Sequence, residues 1–243
     1  MKFDISKRLQ KIASYIPDYA KVADIGADHA FLLLSVAMEG RLKQGIVGEL
    51  NKGPFENARQ QIEQQGYASL IDTRLGDGLA IIHPEEVDVI VIAGMGGSLI
   101  VQILETGKEK LSHVKRLILQ PNIGGHRVRQ WLHHHRWQLV DETIVEEAQI
   151  LYEILVAEQD ITSDAYLDDQ FGVEELMIIG PILWKKRHPL LRKKAAQELM
   201  SKKRILEQLE EGKTEQAQQK RAKVLQELRI WERMMTCLLE DMN

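Results

Sequence analysis

Asp24, Gly26, Asp28 and His29 fall within Val22–Ala30, which reads VADIGADHA. An apolar run, a glycine and then a second apolar run (Ala30–Met38, AFLLLSVAM) predict strand, tight turn and helix. Gly26 lets the backbone come close to a ligand because it has no Cβ, and the turn offers N–H groups. A dinucleotide-binding turn needs G-x-G-x-x-G to seat a pyrophosphate, whereas here Gly26 is the only glycine. The carboxylates of Asp24 and Asp28 oppose an anion there. They suit a cationic ligand carrying an amine, such as S-adenosylmethionine. The competing reading has Asp28 capping the helix and His29 packing.

Further polar residues fall where other strands end. Gly45–Leu50 reads as a second strand finishing at Glu49, which lies 23 positions beyond Gly26. An acidic residue about 20 positions on accepts hydrogen bonds from a ribose in nucleotide-type folds. Asn51–Pro54 turns the chain into a helix. Ser69–Leu75 is a third strand, with Asp77 between Gly76 and Gly78 beyond it. Asp88–Ala93 is apolar throughout, as a strand buried on both faces requires, and leads into Gly94-Met95-Gly96-Gly97. Arg116–Gln120 precedes Pro121-Asn122-Ile123-Gly124-Gly125. With strands at Trp137–Val145 and Leu151–Val156, the alternation predicts a doubly wound α/β sheet ending in a strand pair. Ligands of such sheets bind beyond the carboxyl ends of the strands, where Asp24, Glu49, Asp77, Gly94 and Asn122 all fall.

The 243 residues are 44% hydrophobic and 28% charged, the composition of a soluble globular protein. No apolar run approaches the roughly 20 residues that span a bilayer, and MKFDISKRLQ lacks a signal-peptide core. A single cysteine, Cys237, suits a reducing cytoplasm. The net charge of −4 conceals an asymmetry: Trp184–Arg229 holds 14 Lys and Arg against 6 Asp and Glu. That surplus of eight leaves the remainder at −12. A basic appendage on an acidic body points to a polyanionic partner, with an ordinary solvated helix face as the alternative. In the appendage, Leu191, Ala195, Leu199, Leu206 and Leu209 fit one helix face. Val224, Leu228, Trp231, Met235 and Leu238 follow a heptad seam beyond Gly212, so an antiparallel helical hairpin is predicted. His133-His134-His135 does not make a metal site, because consecutive helical residues point in different directions.

Seven collinear stretches resemble the bacterial tRNA (adenine(22)-N1)-methyltransferase family, TrmK. They are Ser6–Leu9 (SKRL), Asp24–Leu32 (DIGADHAFL), Gly48–Phe55 (GELNKGPF), Arg74–Leu79 (RLGDGL), Ile92–Gly97 (IAGMGG), Leu117–Asn122 (LILQPN) and Tyr152–Val156 (YEILV). Ala27, Phe31 and Leu34 depart from the residues usual in that family. The resemblance implies a class I methyltransferase body, a Rossmann-like doubly wound sheet, over residues 1–160. A C-terminal helical coiled-coil hairpin is implied over 161–243. S-adenosylmethionine is the implied cofactor and adenine N1 in the D-arm of tRNA, position 22, the implied target. By the same resemblance Asp24, Gly26, Asp28 and His29 hold the methionine portion. Glu49 takes the ribose hydroxyls with Asn51 beside it, Asp77 and Gly78 flank the adenine, and Ala93, Gly94, Met95 and Gly96 line the methyl-transfer face.

Adenine N1 carries an in-plane lone pair, so methyl transfer needs no covalent enzyme intermediate and rests on positioning. The base has to leave its stack first. His29 and Asn122 are the candidates for contacting it. Lys185, Lys186, Arg187, Arg192, Lys193 and Lys194 form the densest cationic cluster, suited to sequence-independent phosphate contacts. Three alternatives stay open: a methyltransferase acting on another RNA or a small molecule, a dehydrogenase disfavoured by the missing glycines, and a non-catalytic RNA- or partner-binding module.

Overall fold

The computed structural model describes residues 5–27, 29–159, 164–209 and 214–240, in two compact units, residues 1–165 and 166–243. In the first unit β1 (Ala20–Ile25), β2 (Leu42–Glu49), β3 (Ile71–Leu75), β4 (Val89–Gly96) and β5 (Arg116–Ile123) run parallel, in spatial order β3-β2-β1-β4-β5. β7 (Ile150–Glu158) pairs antiparallel with β5, and β6 (Gln138–Glu147) pairs with β7, completing a mixed sheet of seven strands. The order reverses between β1 and β4, the position where such sheets open a ligand crevice.

Burial explains the central strands. Val22 and Ala23 of β1 and Ile90–Ile92 of β4 are wholly enclosed, so their apolar runs have a core on both faces. α1 (Lys7–Ser14) starts at Ser6, whose hydroxyl accepts the Leu9 N–H at 3.3 Å. It puts Ile12 into a core shared with Leu32, Leu33, Leu34 and Val36 of α2 (Phe31–Met38) and with Val22, Val47, Val91, Ile118 and Ile154 of the sheet. α1 therefore lies over the face on which those strand residues point. α3 (Lys52–Gln64), α4 (Gly97–Thr106) and α5 (Gly125–His134) complete the helices of this unit.

Two strands run further than their apolar patterns predict. β4 continues past Ala93 to Gly96, and β5 continues through Pro121 to Ile123. The β4–β5 ladder is irregular there, with Met95 opposite Pro121 and Gly96 opposite Ile123. An irregular ladder end tolerates a residue that has no N–H to donate.

The second unit contains α6 (Val173–Ile179), α7 (Pro181–Lys185), α8 (Leu191–Leu209) and α9 (Glu215–Glu240). Trp184 organises one end of it: its Nε1 donates to Asp168 Oδ2 at 3.1 Å and Phe171 meets its ring edge-on at 4.9 Å. α8 and α9 are antiparallel, since Lys194 lies over Trp231 while Lys202 Nζ reaches Glu227 at 2.7 Å. The buried stripe of α9 keeps Val224, Trp231 and Leu238 of the expected seam and adds Ile230 and Met234, while Leu228 and Met235 are half-buried. Trp231, Met234 and Leu238 follow a three-four spacing on one helix face, which carries Met234 inward in place of Met235. Gly212 lies outside the described residues. Among those described, no helix is long and apolar enough to cross a membrane.

Candidate functional site

The strand registers bring the carboxylates together. Asp24 pairs with Val47 of β2, so Val47, Glu49 and Asp24 point to one face on adjacent strands. Both acids are enclosed, Asp24 at 4% exposure and Glu49 at 7%. Burial, with Glu49 beside it, pushes the Asp24 carboxyl up to about 7, against the opposing pull of the Arg8 guanidinium. Near neutrality this pair gains from a cation set between or beside its members.

The backbone beside them turns at glycines in the left-handed region. Gly26 sits at φ +70, its N–H bonded to Gly48 O at 2.8 Å, and a Cβ built on it would lie 2.2 Å from Met95 Cε. The turn after β1 thus abuts the end of β4 at Met95. His29 and Ala30 follow with φ of 47° and 59°, two successive non-glycine residues in the left-handed region. Such strain concentrates at ligand sites. The His29 ring stacks on Phe31, with centroids 5.2 Å apart and planes at 16°. Helix α2 starts from Ala30 with no side-chain cap. Asp28, expected to hold ligand or to cap this helix, lies outside the described residues.

A polar clamp fixes the Gly94 peptide on both sides. Its N–H donates to Gln120 Oε1 at 3.1 Å, and its carbonyl accepts from Asn122 Nδ2 at 2.8 Å. Gln120 Nε2 donates to Asn122 Oδ1 at 3.1 Å, and Arg8 Nη1 donates to Gln120 Oε1 at 2.5 Å. Arg8 also stands 5.1 Å over the Tyr152 ring. Gly94 itself has φ +78, and a Cβ there would come within 3.7 Å of Arg8 Nη1. Arg8 and Gln120 are therefore site residues that the candidate set omitted. Gln120 is level with Ala93, which shares a face with Asp24 and Glu49 through the β1–β4 and β4–β5 registers. Strand alternation was the signal that could have found it.

The other expected positions are dispersed around the rim. Asp77 is exposed and precedes a 3-10 turn at Gly78–Ile81, while Asn51 is exposed at the start of α3. Leu50 (62% exposed) and Leu75 (45%) supply apolar surface beside Glu49 and ahead of Asp77, suited to the face of a purine. Met95, Gly96 and Ala93 are half-buried. In the second unit Lys185, Lys186, Arg187, Arg192 and Lys193 are exposed, with Arg187 stacked 3.5 Å over Trp184. Lys194 is the exception: it is 6% exposed, its ammonium 5.6 Å over Trp231, so it belongs to the helix pair and not to a phosphate-facing surface.

Comparison with known proteins identifies the family. Residues 22–233 match the family described as tRNA (adenine(22)-N(1))-methyltransferase. A Bacillus subtilis protein named tRNA (adenine(22)-N(1))-methyltransferase is 46% identical over 217 residues, 89% of this chain and 90% of the relative. The crystal structure of the B. subtilis m1A22 tRNA methyltransferase TrmK superposes with a TM-score of 0.87 at 42% identity, covering 96% of this chain and 99% of that one. A Streptococcus pneumoniae structure solved in complex with S-adenosyl-L-methionine matches with a TM-score of 0.82 at 36% identity, covering 96% and 100%. With a family match over most of its length and the family's fold around two buried carboxylates and a clamped glycine loop, the chain belongs to the tRNA (adenine(22)-N1)-methyltransferase family.

Proposed function

We propose that the chain transfers a methyl group from S-adenosylmethionine to N1 of the adenine at position 22 of tRNA, in the cytoplasm. The observation that carries this reading is the pair of enclosed carboxylates, Asp24 and Glu49, beside a turn at Gly26 with φ +70, a conformation that favours glycine. That set fits a cationic amino-acid nucleoside. Glu49 suits the ribose hydroxyls, Asp24 and the Gly26–His29 turn the amino-acid portion with Asp28, and Leu50, Leu75, Asp77 and Gly78 the adenine; Asn51 lies next to Glu49's subsite. When bound, the cofactor supplies an electrophilic methyl group on a sulfonium.

The chain's own part is positioning. The Gly94–Met95 segment forms the wall between cofactor and base, and the Gln120–Asn122 clamp holds it in one conformation. Asn122 spends one amide hydrogen and one acceptor direction on that clamp, leaving the other of each for the edge of the base. His29, stacked on Phe31, presents a flat surface beside the same turn. Adenine gains positive charge as N1 is alkylated, and the carboxylates of the site favour that change. No residue has to remove a proton before N1 attacks.

The division at about residue 160 separates this body from a helical domain, which we read as a coiled-coil hairpin. Lys185, Lys186, Arg187, Arg192 and Lys193 would meet phosphates there. The deciding experiment incubates the chain with labelled S-adenosylmethionine and unmodified tRNA and identifies the product nucleoside by mass spectrometry. Label in 1-methyladenosine, lost when adenine 22 is replaced, is the expected result. Label in another nucleoside, or transfer only to small molecules, overturns the assignment.

A further inference from the structure

Helices α4 and α5 leave a groove between them that the methyl-transfer site does not use. Its volume is about 510 Å³, and its lining includes Ser98, Arg127, Gln130, Trp131, His134 and His135. It starts at the mouth of the site, because α4 follows Gly96 and α5 follows Gly124. The two helix starts are in van der Waals contact: a Cβ built on Gly97 would lie 2.3 Å from Gly124 O. Ile123, 76% exposed, stands at the same edge next to Asn122. From Ser98 to Glu105 the α4 wall runs about 10 Å away from the mouth, by helical rise.

The chemistry of the groove favours a polyanion with flat groups. Arg127 is exposed and permanently charged, and no carboxylate among the described residues forms an ion pair with it. Trp131 forms the floor and donates from Nε1 to Glu105 Oε2 at 3.0 Å. His135 stacks on it at 4.2 Å, its Nε2 lying 3.1 Å from the same carboxylate oxygen. Lys108 holds the other oxygen of Glu105 at 2.7 Å, so Glu105 is already met by donors. His134 is exposed, edge-on to His135 at 5.2 Å. The histidine run, unsuited to a metal, thus furnishes the far end of a nucleotide-sized groove.

We propose that this groove receives the RNA strand flanking the methylated adenine, with Arg127 on a backbone phosphate and His134 against the adjoining nucleotide. The proposal rests on the tRNA reading above and specifies which surface of the body the RNA follows away from the target. The test compares the parent chain with an Arg127→Gln/His134→Ala double variant and with Arg127→Lys. For each, methyl transfer to unmodified tRNA and tRNA binding are measured across a salt series, with cofactor affinity and melting temperature alongside. The double variant is expected to raise KM for tRNA about tenfold and to lower the slope of log affinity against log salt by about one. Its cofactor affinity and melting temperature stay at parental values, and Arg127→Lys restores most of the salt slope. Unchanged KM and slope in the double variant, beside normal parental activity, overturn the groove alone. A parent that methylates no tRNA overturns the functional reading and the groove together.

Discussion

At the scale of single residues, Asp24 carries the largest tension in the fold. Its carboxyl is enclosed, faces Glu49 from β2 and is relieved only in part by Arg8 from α1. The folded chain therefore holds this proton up to about pH 7, whereas an unfolded chain releases it near the ordinary value of 3.8. Between those two values the folded state binds more protons, so stability falls as pH rises through this window, and the cost is complete above it. Asp24→Asn removes the charge and keeps the shape. Its advantage over the parent in urea melts should be about 2–4 kcal/mol at pH 8 and should vanish towards pH 4. The same substitution should weaken S-adenosylmethionine binding at least tenfold, and the parent's cofactor affinity should decline as pH drops below about 7, where Asp24 gains its proton. A stability difference that is flat with pH would show that burial does not act on the charge of Asp24. A costly carboxylate at such a position makes sense if a cation is to be bound there.

At the scale of elements, the site is built where two strands overrun and two helices begin. The clearest contact is Gly97 against the Gly124 carbonyl, which sets the spacing of α4 and α5 where they leave β4 and β5. Gly97→Ala forces those backbones apart and should cost about 2–3 kcal/mol of stability, with a larger fall in kcat than in cofactor affinity. Gly53→Ala is the control: it lies in α3 with open space around its Cα, so it should be neutral or stabilising by up to about 1 kcal/mol. Equal losses in the two variants, by chemical denaturation and steady-state kinetics, would refute this account of the α4–α5 contact. The same elements show what a sequence conveys. The central strands were legible because Val89–Ile92 and Leu117–Leu119 are apolar runs bounded by glycine or proline, the pattern of strands enclosed on both faces. The strand ends were not, since Pro121 reads as a stop and nothing in Met95 announces an irregular ladder. Asp24 and Glu49 were legible from spacing alone. Arg8 was not, because its partner Gln120 is 112 residues away and only the folded sheet brings α1 over β5. Nor does any propensity announce left-handed backbone at His29-Ala30, which tertiary contacts impose.

At the scale of the whole molecule, charge is uneven: residues 1–165 carry a net −6, and the helical unit, residues 166–243, a net +2 with its cations gathered in Trp184–Arg229. On the proposed reading, that cationic stretch would supply long-range attraction to RNA and the body the chemistry. The structure sharpens this by separating two lysines that are neighbours in sequence. Lys193 is exposed, whereas Lys194 lies buried against Trp231 between α8 and α9. Their substitutions should consequently fail in different ways. Replacing Lys185, Lys186, Arg187, Arg192 and Lys193 together by glutamine should weaken tRNA binding by about ten- to a hundredfold at moderate salt and flatten its salt dependence. Cofactor affinity should not change. Lys194→Ala should leave the salt slope intact and lower the unfolding midpoint of the helical unit, because it removes aliphatic packing and a cation from the face of a buried tryptophan. Binding measured by filter retention across a salt series, with thermal melts of each full-length variant, separates the two effects. If Lys194→Ala flattened the salt slope as the exposed cluster does, its buried placement would not describe the chain that meets RNA. If the five-fold variant bound tRNA with parental affinity, the cationic stretch would owe its charge to helix solvation, and recognition would have to reside in the body alone.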